Sequence, residues 1–470
     1  MSFIDQTELR RRLSRTLSDL YGSEVPAYTT LLDVSQEVNL DYQRQHPASA
    51  EALGSIARVT EERHGAIRVG SPRELSQVAR VFGAAGMYPV NYYDLRDAHP
   101  NPIPVVSTAF RPIDRTELAR NPFRVFTSML VPEDRRFFSE DVESRLKDFI
   151  SRRELFPQRL LDLASQAIDG GGLPQPLAEE YLQLTASAFA LSDEPVNRTW
   201  YGELESISSV AADIGGISST HINHLTPRVL DIDELYRQMG QRGIQMIDSI
   251  QGPPKWKGTD VLLRQTSFKA LSEPRRFLEP DGSIQAGELR VRFGEVEARG
   301  VALTPSGLNH YDALMKETDR QAAQSTSPRS QIAADLWNEN YPIDELELIE
   351  KDYAFFSFHI IETNTDLSSG TSKDLLALIA DGLIGYAPIV YEDFLPRSAA
   401  GIFASNLTKE GAVDAAAGGA VRDADWMAQQ IGTTIHDSNT IYAAERMASL
   451  NEVSLRLGYP LGSINVPWGS

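Results

Sequence analysis

The fold of this chain is decided by the stretch His221-Ile222-Asn223-His224-Leu225-Thr226-Pro227-Arg228-Val229. It places two histidines three residues apart at the start of an apolar, β-branched run, a pattern that predicts a strand opened by histidine. A side chain in a strand points to one fixed face of the sheet, and imidazole is the commonest protein ligand of transition metals. The stretch therefore predicts one ligand of a metal site whose other ligands lie elsewhere in the chain.

The same pattern occurs earlier, where His64-Gly65-Ala66-Ile67-Arg68-Val69-Gly70 predicts a short strand that also begins with histidine. Ser71-Pro72-Arg73-Glu74 then has the features of a helix start, with a serine N-cap, proline at the first helical position and glutamate at the third. Strands are predicted after this helix at Val90–Tyr93 and Val105–Phe110. Residues 64–112 therefore form a predicted β-α-β-β module.

The region that begins at His224 repeats this order. A strand is predicted at Leu225–Leu230, then a helix with an acidic start, then strands at Val261–Ser267 and Glu288–Phe293. A histidine–strand–helix–strands unit that occurs twice is a stronger signal than either copy alone. The second module is predicted over residues 221–312.

The rest of the chain is predicted to elaborate these modules within one α+β catalytic domain, residues 1–470, with no linker. The N-terminal region has helical spacing of its apolar residues, and residues 113–215 read as an all-helical insertion. Beyond residue 320 helical patterns alternate with strands, one of them at Ile389–Phe394, and predict a C-terminal α/β elaboration over residues 320–470.

Composition limits the classes of function. The formal net charge of −20 disfavours nucleic acid and anionic membranes as partners, because both need a basic surface. The chain has no cysteine, which excludes disulfides, zinc–thiolate sites, iron–sulfur clusters and thiol nucleophiles. The N-terminus lacks the pattern of a signal peptide, and no apolar run approaches the length of a membrane span. A cytoplasmic protein is expected.

A carboxylate is needed to complete the metal site, since non-haem iron enzymes that use O2 hold Fe(II) with two histidines and one carboxylate. The stretch Phe293-Gly294-Glu295-Val296-Glu297-Ala298-Arg299-Gly300 offers two, which point to the same face of a strand. Glu295 is favoured because it comes first at the end of the apolar strand, whereas Glu297 can pair with Arg299 or Arg292. For the histidine, both His221 and His224 stay candidates at this point, because periodicity does not exclude His221.

These stretches carry a resemblance to known families. The repeated unit resembles the vicinal oxygen chelate superfamily, whose cupped sheets hold a metal, and Phe293–Arg299 resembles the carboxylate-ligand strand of hydroxyphenylpyruvate dioxygenase and hydroxymandelate synthase. More closely, the chain is similar to the 2-oxoadipate dioxygenase/decarboxylase family in three segments, His64–Gly70, Asn223–Arg228 and Ser398–Leu407. The resemblance covers roughly residues 10–460.

The resemblance implies an Fe(II) enzyme that converts 2-oxoadipate and O2 to D-2-hydroxyglutarate and CO2 in lysine catabolism, with its metal in a cup of repeated βαβββ modules. It implies His64, His224 and Glu295 as the catalytic metal ligands. It further implies substrate contacts from four residues, His64, Arg68, Arg397 and Ser398, with Arg68 on one carboxylate and the Arg397-Ser398 segment closing on the far end of the substrate.

Two alternatives stay open. The family has a small apolar residue where this chain has Arg397, and a side-chain contact there would change the length or charge of the 2-oxo acid that fits. Two histidines and a glutamate are also a catalytic zinc pattern, so a zinc hydrolase or isomerase is the competing interpretation. Arg68 favours the oxygenase, because a hydrolase needs no carboxylate clamp. The oligomeric state is not indicated by the sequence.

Overall fold

The computed structural model describes residues 2–47, 50, 55–98, 102–290, 292–361, 374–395 and 420–468. Its strands, in chain order, are β1 Phe3–Asp5, β2 Arg63–Val69, β3 Tyr88–Asp94, β4 Val105–Arg111, β5 Arg124–Leu130, β6 Gly172–Pro174, β7 Val196–Asn197, β8 His224–Pro227, β9 Leu263–Ser267, β10 Glu273–Leu278, β11 Ile284–Leu289, β12 Glu295–Arg299, β13 Phe356–Ile360 and β14 Ile384–Pro388.

Helices precede, connect and follow these strands. Their bounds are Gln6–Glu24, Pro26–Gln45, Ile56–Glu61, Pro72–Ala84, Arg115–Arg120, Glu140–Arg152, Gln158–Gly170, Gln175–Ala188, Arg198–Ile207, Ser209–Gly216, Ile232–Gln241, Pro305–Ala322, Arg329–Asn340, Glu345–Glu350, Leu375–Ala380, Ala424–Ile431 and Ser438–Arg456. Within the described part of the chain, no helix is both long and apolar enough to cross a membrane.

The central sheet joins the two predicted modules. Its strand order is β3-β4-β5-β2-β8, so the first strand of the second module lies at the edge of the sheet formed by the first. Strand β2 runs parallel to β5 and antiparallel to β8, with Ala66 opposite His224. Strand β12, which pairs with β9, continues beside β8, because Val229 N donates to the carbonyl of Glu297 at 2.8 Å. The sheets of the two modules therefore meet between β8 and β12.

Helices cover one side of this sheet for reasons visible in the sequence. The Ser71 side chain caps the helix Pro72–Ala84 by accepting from Glu74 N, and the apolar face of this helix, which includes Leu75 and Val78, is fully buried. The N-terminal helix Gln6–Glu24 buries its leucines in the same core. Because burial of each such side chain stabilises the fold by about 1.5–3 kcal/mol, these faces fix the helices against the strands.

The predicted α+β fold with a repeated module and a large helical insertion is confirmed, but residues 113–215 are not all helical. Strand β5 lies inside that range, in the middle of the central sheet, so the first module is a β-α-β-β-β unit that extends to residue 130. All seven residues of β5 are buried. A strand covered on both faces has no polar–apolar alternation, and periodicity alone cannot distinguish it from a buried helix.

Two smaller strand predictions are also wrong. Instead of one strand at Glu288–Phe293, β11 ends at Leu289 and β12 begins at Glu295, so Glu295 opens a strand and does not close one. The predicted strand at Ile389–Phe394 is an irregular segment that follows β14. Its apolar side chains pack in the core, and its acidic side chains bind buried arginines. The resulting run of buried residues resembles a strand in the sequence although it does not form one.

Candidate metal centre

Three side chains from three strands meet in the interior of the protein. His64, His224 and Glu295 each offer a ligand-type atom, and these atoms all lie within 4.8 Å of one another. The Nε2 atoms of His224 and His64 lie 3.0 and 3.6 Å from Glu295 Oε2. All three residues are buried, with exposures of 1% for His64, 5% for His224 and 3% for Glu295.

The register of the strands produces this convergence. His64 and Ala66 point to the same face of β2 because they are two residues apart, and β8 places His224 directly opposite Ala66. Glu295 enters from β12, the strand beside β8. The ligand-type residues therefore belong to the first strand of each module and to the last strand of the second.

The electrostatics of Glu295 fit a cation at this place. Burial raises the pKa of Glu295 above its ordinary value, and among the described residues no lysine or arginine forms an ion pair with it. A buried carboxylate without a positive partner is costly. Burial, together with the neighbouring His64, lowers the pKa of His224 and favours the neutral imidazole that binds metals. Two imidazoles and a carboxylate suit a divalent transition metal.

Glu297 has a different environment from Glu295. Arg299 donates to its two carboxylate oxygens at 2.6 and 2.9 Å, and the other ring nitrogen of His64, Nδ1, lies 2.8 Å from Glu297 Oε2. Burial alone would raise the pKa of Glu297, but Arg299 and His64 hold it well below its ordinary value. The predicted pairing of Glu297 with Arg299 is therefore present, whereas Arg292 pairs with Glu273.

His221 lies in a separate buried cluster around Asp213. Asp213 accepts a hydrogen bond from Asn223 Nδ2 at 2.8 Å, lies 3.2 Å from His221 Nε2, and forms an ion pair with Arg68 Nη1. The structure thus brings His224, and not His221, to Glu295. Arg68 is buried beside Asp213, and its charge, acting with burial and His64, lowers the pKa of His224.

A second group of charged residues, linked to Glu297 through Arg124, forms a network of ion pairs in the interior. This network was not predicted from the sequence. Glu62 Oε1 accepts from Arg124 at 2.7 Å and Glu62 Oε2 accepts from Arg228 at 2.9 Å, while Glu392 pairs with Arg58 and Arg124. Glu62, Arg124, Arg228 and Glu392 are nearly completely buried, and Arg58 is partly buried. Arg124 is the first residue of β5, and the rest of that strand is uncharged. Because a charged residue is seldom buried unless it is paired, this pattern could have indicated the network.

Two predicted substrate contacts, Arg397 and Ser398, lie outside the described residues, as does the segment Ser398–Leu407 that contributed to the resemblance. The last described residues before this segment of the sequence are Tyr391–Leu395. Phe394 there packs edge-on against the His64 ring, with ring centroids 5.0 Å apart.

Comparison with known proteins identifies the family. The sequence model of the 2-oxoadipate dioxygenase/decarboxylase family matches residues 13–406. The chain belongs to this family. It is 51% identical over 437 residues to a 2-oxoadipate dioxygenase/decarboxylase of Mycobacterium bovis, covering 93% of this chain and 96% of that protein. It is 37% identical over 472 residues to the Pseudomonas putida protein of the same name, covering 98% of this chain and 99% of that one.

A solved structure has the same fold. The hydroxyglutarate synthase from Pseudomonas putida in complex with 2-oxoadipate superposes with a TM-score of 0.82 and 34% sequence identity, covering 97% of this chain and 100% of that one. The similarity therefore includes both modules, the region between them and the C-terminal part.

Proposed function

We propose that this chain is an Fe(II)-dependent dioxygenase that decarboxylates 2-oxoadipate, giving D-2-hydroxyglutarate and CO2. The observation that carries the proposal is the buried meeting of His64, His224 and Glu295 in a chain of the 2-oxoadipate dioxygenase/decarboxylase family. The three residues are proposed to hold the metal. Two histidines and one carboxylate suit Fe(II) in oxygenases and leave coordination positions open.

Bound Fe(II) would supply the redox chemistry that activates O2. The task of the protein is then to bind and orient the 2-oxo acid and to exclude water. The buried aromatic rings of Phe293 and Phe394, which contact His224 and His64 respectively, support the exclusion of water.

Arg68 is proposed to bind a carboxylate of the substrate. A dianionic acid needs a local cation in a chain whose net charge is −20, and a guanidinium matches a carboxylate in a bidentate geometry. The ion pair with Asp213 fixes the orientation of the Arg68 side chain, and a bound carboxylate would share this guanidinium with Asp213. His64, Arg397 and Ser398 are the other proposed substrate contacts.

The atoms of the reaction balance without a further reductant. The first carboxyl group leaves as CO2, the keto carbon becomes the new carboxylate, and the neighbouring carbon gains a hydroxyl group. Both atoms of O2 are then found in D-2-hydroxyglutarate, and the four electrons that reduce O2 come from the substrate itself.

The test is anaerobic reconstitution with Fe(II), followed by measurement of O2 uptake and analysis of the product formed from 2-oxoadipate under ¹⁸O2. We expect one O2 consumed per CO2 released and two labelled oxygens in the hydroxy acid. Homologous acids one carbon shorter and longer test the substrate length, and Zn(II)-loaded protein is the control without redox chemistry. Absence of O2 consumption with all three acids would refute the proposal, and turnover of another substrate by the Zn(II) form would favour a hydrolase or isomerase.

A further inference from the structure

We propose that Glu297 and Arg299 are positioning residues for His64: Glu297 accepts the proton on His64 Nδ1, so that Nε2 faces the metal, and Arg299 holds Glu297 in place. The inference rests on the proposed role of His64 as a metal ligand and deepens it. Neither residue is proposed to touch metal or substrate.

The two nitrogens of the His64 ring face different carboxylates. Nδ1 lies 2.8 Å from Glu297 Oε2, and Nε2 lies 3.6 Å from Glu295 Oε2. Glu295 and Glu297 project from the same face of β12, because they are two residues apart. One carboxylate is thus at the metal side of the imidazole and the other is behind it. Metal-bound histidines usually donate their second N–H to such a partner, which fixes the tautomer and the orientation of the ring.

Arg299 fixes the position of Glu297. Its Nε and Nη2 atoms donate to the two carboxylate oxygens at 2.6 and 2.9 Å, a bidentate geometry that leaves the carboxylate one orientation. Its remaining terminal nitrogen, Nη1, donates to the backbone carbonyls of Tyr391 and Asp393 at 2.8 and 2.9 Å. Both side chains are almost completely buried, so solvent does not compete for these hydrogen bonds.

The same guanidinium also supports the other contact of the His64 ring. By binding the carbonyls of Tyr391 and Asp393, Arg299 holds the segment in which Phe394 lies. The Phe394 ring is 5.0 Å from the His64 ring and nearly perpendicular to it, at 88°. Arg299 therefore stabilises a polar contact at Nδ1 and an apolar contact at the ring, and together these leave His64 a single orientation.

Charge distinguishes this role from that of a ligand. Glu297 is neutralised by Arg299, and Arg124 Nη1 lies 3.7 Å from the same Oε1 atom that Arg299 Nε binds. Glu295, in contrast, has no arginine or lysine ion pair among the described residues. A metal ion would compensate the charge of Glu295, but the charge of Glu297 is already compensated.

The variant Glu297→Gln tests the inference in the full-length protein. Its amide keeps the shape of the side chain but loses the charge, and its NH2 group opposes the donors of Arg299. We expect the affinity for Fe(II), measured anaerobically by competition with a chromophoric chelator, to fall by about 10–100-fold, as is typical when such a partner is lost. The matched control is Glu273→Gln, which breaks another buried bidentate pair, with Arg292, and is expected to leave the affinity within about threefold.

The outcomes separate this inference from the proposed function. If the wild-type protein does not bind Fe(II), the proposed metal site is wrong. If the wild-type protein binds Fe(II) and folded Glu297→Gln binds it equally well, the metal site stands and the positioning role is wrong. A loss of affinity of the same size in Glu273→Gln would also overturn the positioning role, because a general loss of stability would then explain both.

A measurement on the wild-type protein decides the matter even where a variant does not fold. In Zn(II)-loaded protein with ¹⁵N-labelled histidine, the ring-nitrogen spectrum shows which nitrogen of His64 carries the proton. The resonance is assigned by its absence in His64→Asn. We expect the proton on Nδ1 and metal on Nε2, and the opposite tautomer would overturn the inference.

Discussion

The substitution Arg68→Met is expected to separate substrate binding from stability. Met keeps much of the length of the side chain and removes the charge, which leaves Asp213 in the interior without its guanidinium. Removing one partner of a buried pair costs about 3–5 kcal/mol. Because Asn223 and His221 still contact Asp213 at 2.8 and 3.2 Å, we expect the free energy of unfolding to fall by the lower value, about 3 kcal/mol.

Arg68→Met should also raise the KM for 2-oxoadipate, and by more than the loss of stability would explain. Truncating one partner of a buried, hydrogen-bonded charge pair weakens binding by about 2–5 kcal/mol, and each 1.4 kcal/mol is about tenfold. The KM for 2-oxoadipate should therefore rise at least about 30-fold. Urea unfolding of the metal-loaded protein measures the first effect, and initial rates of O2 uptake measure the second.

The double variant Arg68→Met with Asp213→Asn is the critical control. It removes both charges, so most of the lost stability should return, whereas the KM should stay high. Asp134→Asn is a matched comparison elsewhere in the fold, since Asp134 is fully buried between Arg96 and Arg136; it should lose stability but keep the wild-type KM. A KM within about threefold of wild type for Arg68→Met, or a double variant no more stable than the single one, would refute the reasoning.

Three further predictions concern the metal and the buried charges. His224→Ala should abolish Fe(II) binding while His221→Ala retains it, measured as metal content after anaerobic dialysis; the reverse result would exchange the two assignments. Glu295→Gln should lose metal too, yet the metal-free variant should unfold at a urea concentration no lower than that of metal-free wild type, because it removes a buried charge that has no arginine or lysine ion-pair partner among the described residues; a clear destabilisation would contradict this. For Glu392, burial would raise the pKa, but Arg124 and Arg58 hold it at about 2. A depressed pKa gives stability that is present above the unfolded-state value near 4.5 and is lost as the pH falls towards 2. The free energy of unfolding in urea between pH 5 and 3 should thus depend less on pH in Glu392→Gln than in wild type. An identical dependence would show that Glu392 does not contribute to the loss of stability in acid.

Much of the candidate site could be predicted because its signals are local. His64 and His224 both open apolar runs, and the alternation of Glu295 and Glu297 places both carboxylates on one face whatever the exact bounds of the strand. The choice of Glu295 over Glu297 used the predicted end of an apolar strand, whereas β12 begins at Glu295. The residue is the one that the structure brings to His64 and His224, but the stated reason for choosing it was wrong. The family resemblance then supplied the choice of His224 over His221, the iron and the substrate.

The parts that could not be predicted depend on contacts between distant residues. Strand β5 is buried on both faces and has no period, and its pairing with β2 is set by the sheet as a whole. Asp213 lies in the apolar helix Ser209–Gly216, and nothing near it in the sequence indicates that Arg68 is its partner. The pairing of Glu392 with Arg124 joins residues 268 positions apart, a separation at which sequence patterns carry no information about contact.

These long-range ion pairs affect the order in which parts of the protein can fold during synthesis. Arg111 and Arg124, from the first module, are neutralised by Asp393 and Glu392, which are 282 and 268 residues later. During synthesis the central sheet emerges well before these acids. Until the C-terminal part arrives, Arg124 has Glu62 as its counter-charge, and Arg111 has none among the described residues. Native pairing over such separations is slow. The region after residue 320 therefore supplies counter-charges to the core that holds the candidate site, and a chain that stops there is expected to be less stable than the full-length protein.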